Sequence, residues 1–320
     1  MHSRPLVFAL AFALFAVAPA WAAPIEVSAE PLPLIEKDPA KAAVDKLKYR
    51  GGAVLKSPDP RFGGFSGLVV APNGASLIAV SDRGLRLEAK ILYASDGRLL
   101  GLAEADLGSL AGEDGRSLRL VAERDAEALA ASPSGEIIVA FERDHRLLRY
   151  LPGTLVPERI PAPEEVARAP ANGGIEVLTF LEDGRLLAIA EELIQGGHAV
   201  GWVSDADGWS PLTYALSDGF VVTDLATLPG GDVLVLERRY QLRIGVAARV
   251  RRIARTTIAP GAELVGELLA ELRSPLAVDN MEGISARRDP ASGKTLIYMI
   301  SDDNFSAAQR TLLLMFELME

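Results

Sequence analysis

Residues 125–143 read DAEALAASPSGEIIVAFER, and this stretch decides the fold of the chain. Two short apolar runs flank a Pro-Ser-Gly turn, which is the pattern of a β-hairpin. Glu127 comes before the first run and Glu142 comes after the second, fifteen residues later. Because a hairpin returns to the end at which it began, we expect these two carboxylates to lie at the same end of a sheet.

The same hairpin pattern recurs in four other segments, which span residues 66–84, 172–192, 223–239 and 279–304. Further strand-like runs lie between these segments, so each unit has room for about four strands at a pitch of roughly 50 to 60 residues. We therefore predict an all-β protein, a β-propeller of about five four-stranded blades. A sixth blade, assembled from the two ends of the chain, stays open. A tandem of β-sandwiches would not explain why one hairpin keeps recurring.

The first 22 residues have the features of a secretory signal peptide. Arg4 is followed by the apolar run 6–17, and small residues then stand at alternate positions up to Ala23. The apolar run is too short to cross a bilayer and has no basic stop-transfer flank. We expect cleavage after Ala22 and a periplasmic or secreted product with no membrane anchor.

The rest of the chain is predicted to form one propeller with a short N-terminal extension. The extension covers residues 23–61, and its stretch 49–56 should complete the last blade and close the ring. The propeller domain itself is expected over residues 62–320.

The composition limits the partners that this protein can have. The formal net charge is -10, which argues against nucleic acid and favours cations. The chain has no cysteine, so burial and hydrogen bonding must stabilise an exported protein without disulfides. We expect a monomer that takes a small anionic ester or another small ligand.

The hairpin geometry predicts that acidic residues from successive repeats gather at one mouth of the central channel. Such crowding costs free energy unless cations or arginines lie between the carboxylates. Calcium takes six to eight oxygen ligands from carboxylates, carbonyls and amides. The candidate calcium ligands are Glu127, Glu176, Asp224, Glu282 and Asn280.

Further residues beside the same mouth are candidates for chemistry on a bound ester. The candidate catalytic residues are Asp82, Asp302 and Glu142, and the candidate substrate-binding residues are Arg83, Arg143, Arg238 and Arg310. Arginine forks hold carboxylate or phosphate groups well. Beyond the predicted signal peptide only His145 and His198 remain, which argues against a zinc site.

Several of these motifs together resemble the bacterial "esterase-like activity of phytase" family. The resemblance covers nearly all of residues 62–318 and is carried by 62–68, 80–84, 141–143, 172–176, 236–239, 301–305 and 309–314. It implies an exported propeller, related in fold to calcium-dependent propeller phytases, with a phosphoesterase or esterase activity.

Three functions are compatible with this pattern. The first is a calcium-assisted hydrolase of a small phosphate or carboxylic ester at the acidic mouth. The second is a non-catalytic periplasmic propeller that binds a ligand or a protein there and has a structural calcium site. In the third, the acidic ring is purely structural, and calcium only raises stability.

Overall fold

The computed structural model describes residues 22–118, 120–154, 156–171 and 173–319. Before the first repeat come β1 (Ala22–Ile25), β2 (Ser28–Pro31), β3 (Ala43–Val44) and β4 (Leu47–Lys56). The first repeat forms β5 (Phe65–Val70), β6 (Ser76–Ser81), β7 (Leu85–Tyr93) and β8 (Leu99–Ser109). The second forms β9 (Ala126–Ala131), β10 (Ile137–Phe141), β11 (Arg146–Tyr150) and β12 (Glu158–Ile160).

The third repeat forms β13 (Ile175–Phe180), β14 (Leu186–Gln195), β15 (His198–Asp205) and β16 (Gly208–Ala215). Next come β17 (Val221–Thr227), β18 (Val233–Gln241), β19 (Gly245–Ile253), β20 (Glu263–Leu264) and β21 (Glu267–Arg273). The last repeat forms β22 (Asn280–Arg288), β23 (Thr295–Asp302) and β24 (Thr311–Leu318). The helical elements among the described residues are α1 (Val121–Arg124) and two 3-10 turns, Glu164–Arg168 and Arg255–Thr257.

These strands form five sheets, antiparallel except for the short β16–β20 pair, so the predicted β-propeller is confirmed and has five blades. The inner strands β5, β9, β13, β17 and β22 contact one another in turn around the channel, and β22 contacts β5. Each blade buries apolar side chains against its neighbours, and the five hydrophobic clusters lie between successive blades. The core is therefore a ring of blade interfaces rather than one central mass.

The two ends of the chain meet in the fifth blade. Strand β4 pairs antiparallel with β24, with Ala53 opposite Leu313, and supplies the fourth strand of that sheet. This closing strand overlaps the stretch 49–56 expected from the sequence. The ends therefore complete the fifth blade and do not make a sixth.

The inner strands approach one another so closely that two positions have no room for a side chain. A carbon added at Gly283 would lie 2.7 Å from Ile300 Cγ2 and 2.9 Å from Leu68 Cβ, and Gly67 is similarly close to Leu129. Glycine at these two positions lets neighbouring inner strands pack at the channel.

We expect Gly283→Ala to lower the free energy of unfolding by about 1–3 kcal/mol, because overpacking forces the neighbours apart. Urea denaturation measures this loss. Gly112→Ala is the matched control, since its added carbon would press only on the flexible end of the Leu118 side chain, at 3.1 Å, with its other neighbours at ordinary contact distances of 3.5 Å and 3.7 Å. Equal stability of the two variants would contradict the close packing of β22 against β5.

The predicted signal peptide lies outside the described residues except for Ala22, so both the signal and its cleavage stay predictions. Within the described residues, no helix has the length and apolar character needed to cross a bilayer.

Candidate functional site: the acidic mouth

Each inner strand carries a β-bulge at the same height, near one end of the channel. In every blade the pairing with the second strand skips one residue at this point, which aims that residue's side chain away from the regular ladder. The skipped residues are Ser66, Glu127, Glu176, Thr223 and Glu282. On the second strand of each blade, one residue pairs with the inner-strand residue just before the bulge, and the next residue along the chain lies beside the bulge. These next residues are Asp82, Glu142, Glu191, Arg238 and Asp302.

These ten residues, together with Asp125, form what we call the acidic mouth. The structure brings its carboxylates close enough to affect one another across blades: Glu127 feels the charges of Glu142 and Glu282, and Glu176 feels that of Glu127. The predicted convergence at one end of the channel therefore holds for most of the candidate residues.

The tightest group of carboxylates in the mouth is Asp125, Glu127 and Glu142. One oxygen from each lies within 4.8 Å of the other two, which is close enough for a single cation to bind all three. Glu142 is only 4% exposed and accepts the N–H of Gly174 at 2.6 Å. Asp125 was not among the predicted ligands, although it is the first residue of its repeat.

Burial and mutual repulsion raise the pKa values of three glutamates in this mouth, Glu127, Glu176 and Glu282. Burial first, and then the neighbouring Glu142, raise the pKa of Glu127 well above its usual range. Burial and the charge of Glu127 do the same to Glu176. The pKa of Glu282 rises to about 8, mainly through burial, although the Arg238 guanidinium opposes the shift.

The carboxyl groups of Asp82 and Asp302 have pKa values close to neutral pH. Burial raises the pKa of Asp302 to about 7 and that of Asp82 to about 6. The Oδ1 atom of Asp82 is buried and has no hydrogen-bond partner among the described residues. Gly64, in the left-handed region at φ +65°, lies directly against that oxygen, where a larger residue would cover it.

Blade four departs from the acidic pattern and supplies Thr223 and Arg238. Arg238 Nε lies 2.9 Å from Glu282 Oε1, and its Nη2 lies 3.6 Å from Glu191 Oε1. This arginine therefore links the carboxylates of the blades on either side of its own. Its guanidinium compensates part of the charge of Glu191 and Glu282 and does not stand free for substrate.

The predicted calcium ligand Asp224 does not join the mouth. It follows the bulge residue Thr223 by one position, so it points the other way and is fully buried. Its carboxylate accepts the N–H groups of Ile284 at 2.7 Å and Leu225 at 2.8 Å, and that of Leu68. Asp224 thus ties β17 to β22 and β5 and belongs to the interior, not to the candidate metal set.

Asn280, another predicted ligand, also lies apart from the tightest carboxylate group. Its side-chain amide donates to Asp302 at 3.4 Å and hydrogen-bonds Glu282. It therefore orients the carboxylates of its own blade, and it does not contact the Asp125 group.

The remaining predicted arginines differ in whether a carboxylate already pairs with them. Arg143 pairs with Asp125, and Arg310 Nε lies 3.5 Å from Asp279. Arg83 is exposed, makes no ion pair within the described part of the chain, and stacks on Phe305 with its guanidinium carbon 3.1 Å from the ring centre. Of the four, Arg83 is the one best placed to contact an anion.

Asp303 lies beside the acidic mouth, near Asp82 and Asp302, and sequence reasoning did not single it out. It accepts the N–H groups of Gly64 at 3.1 Å and Phe305 at 3.0 Å, and the hydroxyl of Thr311 at 3.1 Å. These bonds hold the Phe305 loop against blade one. The neighbouring Asp-Asp-Asn sequence was the available signal, because such residues favour tight side-chain-to-backbone turns.

A family model described as esterase-like activity of phytase matches residues 60–305. The chain belongs to this phytase-like family. The match includes all ten bulge and second-strand positions of the acidic mouth, and no curated protein matches the chain.

Two distant solved structures illustrate what this phytase-like propeller is similar to. An aldose sugar dehydrogenase from Streptomyces coelicolor, in its PQQ-bound form, is 13% identical with a TM-score of 0.45, over 92% of this chain and 99% of that one. Virginiamycin B lyase from Staphylococcus aureus is 12% identical with a TM-score of 0.40, over 86% and 85%.

Proposed function

We propose that this phytase-like propeller is a calcium-dependent hydrolase of a small phosphate or carboxylic ester, acting at the acidic mouth. The observation that carries the proposal is the group of Asp125, Glu127 and Glu142, whose oxygens lie within 4.8 Å of one another. Three carboxylates this close are strongly destabilised unless a cation or protons compensate their charges.

The residues in this group fit a hard divalent cation. All their donor atoms are carboxylate oxygens, which calcium prefers, and nitrogen and sulfur ligands of the zinc type are absent from the group. A bound calcium ion would polarise the ester as a Lewis acid. The predicted export would place the site where extracellular calcium modules work at millimolar concentrations.

Three residues of the chain would bind the substrate, accept a proton and orient the attacking water. Arg83, exposed and free of ion pairs among the described residues, would hold the anionic part of the substrate. Asp302 would act as general base, because a pKa near 7 matches the pH at which it must take up a proton. Asp82, with its unpartnered buried oxygen, faces the same space and would orient the attacking water.

One observation favours the second candidate function, a non-catalytic ligand-binding propeller with a structural calcium site. Arg143, Arg238 and Arg310 all have carboxylate partners, which leaves Arg83 as the anion contact among the predicted arginines. Such pairing is typical of a stabilising network as well as of an active site.

We expect turnover of nitrophenyl phosphate or nitrophenyl acetate that a chelator abolishes and added calcium restores. Asp302→Asn should lower kcat by about 100-fold, as loss of a general base does. Arg83→Ala should mainly raise KM, whereas Arg116→Ala, at an exposed position that pairs with Asp114 and is not part of the acidic mouth, should change neither constant.

Absence of turnover of both ester classes at every calcium concentration would rule out the hydrolase. Ligand-dependent shifts in melting temperature without turnover would then support the binding propeller.

A further inference from the structure

The end of the channel opposite the acidic mouth opens into a second cavity, of about 840 Å³, which we call the turn cavity. It lies where the hairpin turns of the repeats meet. Its wall includes the half-buried Val69, Ala131 and Phe180, and its rim includes the exposed turn prolines Pro72, Pro133 and Pro229. Its volume is in the usual range of small-molecule pockets, about 300–1,000 Å³.

The turn cavity is separate from the acidic mouth. Between the two, Asp224 binds the backbone N–H groups of Leu68 and Ile284 and draws three inner strands together. Gly67 and Gly283 stand at the matching positions of the neighbouring strands and let them close the channel at this height. A ligand in the turn cavity therefore does not share the carboxylates of the mouth.

The acidic side chains that line the turn cavity are already neutralised. Three carboxylates lie there, and each has an arginine partner: Glu136 with Arg149 at 3.8 Å, Glu182 with Arg255 at 3.3 Å, and Asp183 with Arg185 at 2.8 Å. The local charge is consequently set by cations that have no such partner.

One arginine on β22 supplies that positive charge. The side chain of Arg288 lines the cavity, is exposed, and makes no hydrogen bond or ion pair within the described ranges. Its neighbour Arg287 is 7% exposed and already has partners, because its guanidinium lies 3.6 Å from Asp289 and donates to the Tyr298 hydroxyl at 3.1 Å. An anion in the cavity would therefore gain a charge-assisted bond to Arg288.

We propose that the turn cavity binds a small amphiphilic anion, an acyl-chain carboxylate, at a site independent of the acidic mouth. The carboxylate pairs with Arg288, and the acyl chain lies against the apolar walls. Charge-assisted bonds to guanidinium position the head group, while burial of the tail supplies most of the affinity.

The test uses the full-length protein with anilinonaphthalene sulfonate as a fluorescent amphiphilic anion and decanoate as its competitor. We expect saturable probe binding that decanoate displaces and that neutral decanol displaces about tenfold less well, through loss of a charged hydrogen bond. Arg288→Glu should weaken both anions by about tenfold or more. Ala131→Trp should block binding by filling the wall.

Arg116→Glu, which makes the same charge change at an exposed residue that does not line the turn cavity, is the matched control and should bind as the wild type does. Glu127→Gln, in the acidic mouth, should also bind normally, so a failed hydrolase assay leaves this result standing. Equal effects of Arg288→Glu and Arg116→Glu, or equal displacement by decanoate and decanol, would overturn the proposal. Circular dichroism confirms that each variant is folded before binding is measured.

Discussion

Glu127→Gln is expected to raise the melting temperature of the calcium-free protein and to abolish its stabilisation by calcium. Glu127 is crowded by Glu142 and Asp125, and its ionised form is unfavourable without a cation. An amide of the same shape removes that repulsion but also removes one of three metal ligands. Opposite changes in the two conditions would distinguish a binding site from a structural carboxylate.

The pH dependence of the calcium-free protein follows from the same cause. A carboxyl whose pKa is higher in the folded state contributes stability below its ordinary pKa, and this stability is lost as the pH rises through the raised value. For Glu282 this window runs from 4.5 to about 8. We therefore expect the calcium-free wild type to become less stable as the pH rises across this range. The Glu127→Gln variant should lose less stability over the same range.

Thermal unfolding with chelator and with calcium measures both effects. At calcium concentrations about 100-fold above the Kd, the wild type should gain about 2.7 kcal/mol, and the variant close to none. Glu164→Gln removes an equal charge from an exposed position and should follow the wild type in both conditions. A variant that is destabilised without calcium, or that keeps the full calcium response, would contradict the proposed site.

Asp224→Ala is expected to destabilise the protein by about 3–5 kcal/mol and to leave the calcium response intact. The substitution leaves the N–H groups of Leu68, Leu225 and Ile284 buried without their acceptor, at a cost of about 1–3 kcal/mol each. Loss of the carboxyl also releases the contacts among three inner strands at mid-channel.

Urea denaturation gives the loss of stability, and calcium titration of the folded variant gives the response. Asp207→Ala, at an exposed hairpin turn, is the control and should cost little. A loss no larger than that of the control would show that the mid-channel hydrogen bonds are dispensable. A lost calcium response would contradict the structure and would mean that Asp224 is a calcium ligand.

The hairpin repeat, the propeller class and the common end of Glu127 and Glu142 could all be predicted from the residues. They depend on local chemistry, namely turn residues between alternating apolar runs, and on the fact that a hairpin returns to its starting end. The same logic placed Glu176, Glu282, Asp82 and Asp302 together, because each lies at the corresponding end of a hairpin in its own copy of the repeat.

The repeat could not show which residue of each inner strand is skipped in the pairing. In blade four that residue is Thr223, so Asp224 turns into the interior and Arg238, rather than Glu237, reaches the mouth. Glu237 is instead fully buried against Tyr214 and Arg251. A shift of one residue along a strand reverses the direction of a side chain, and only strand pairing decides where that shift occurs.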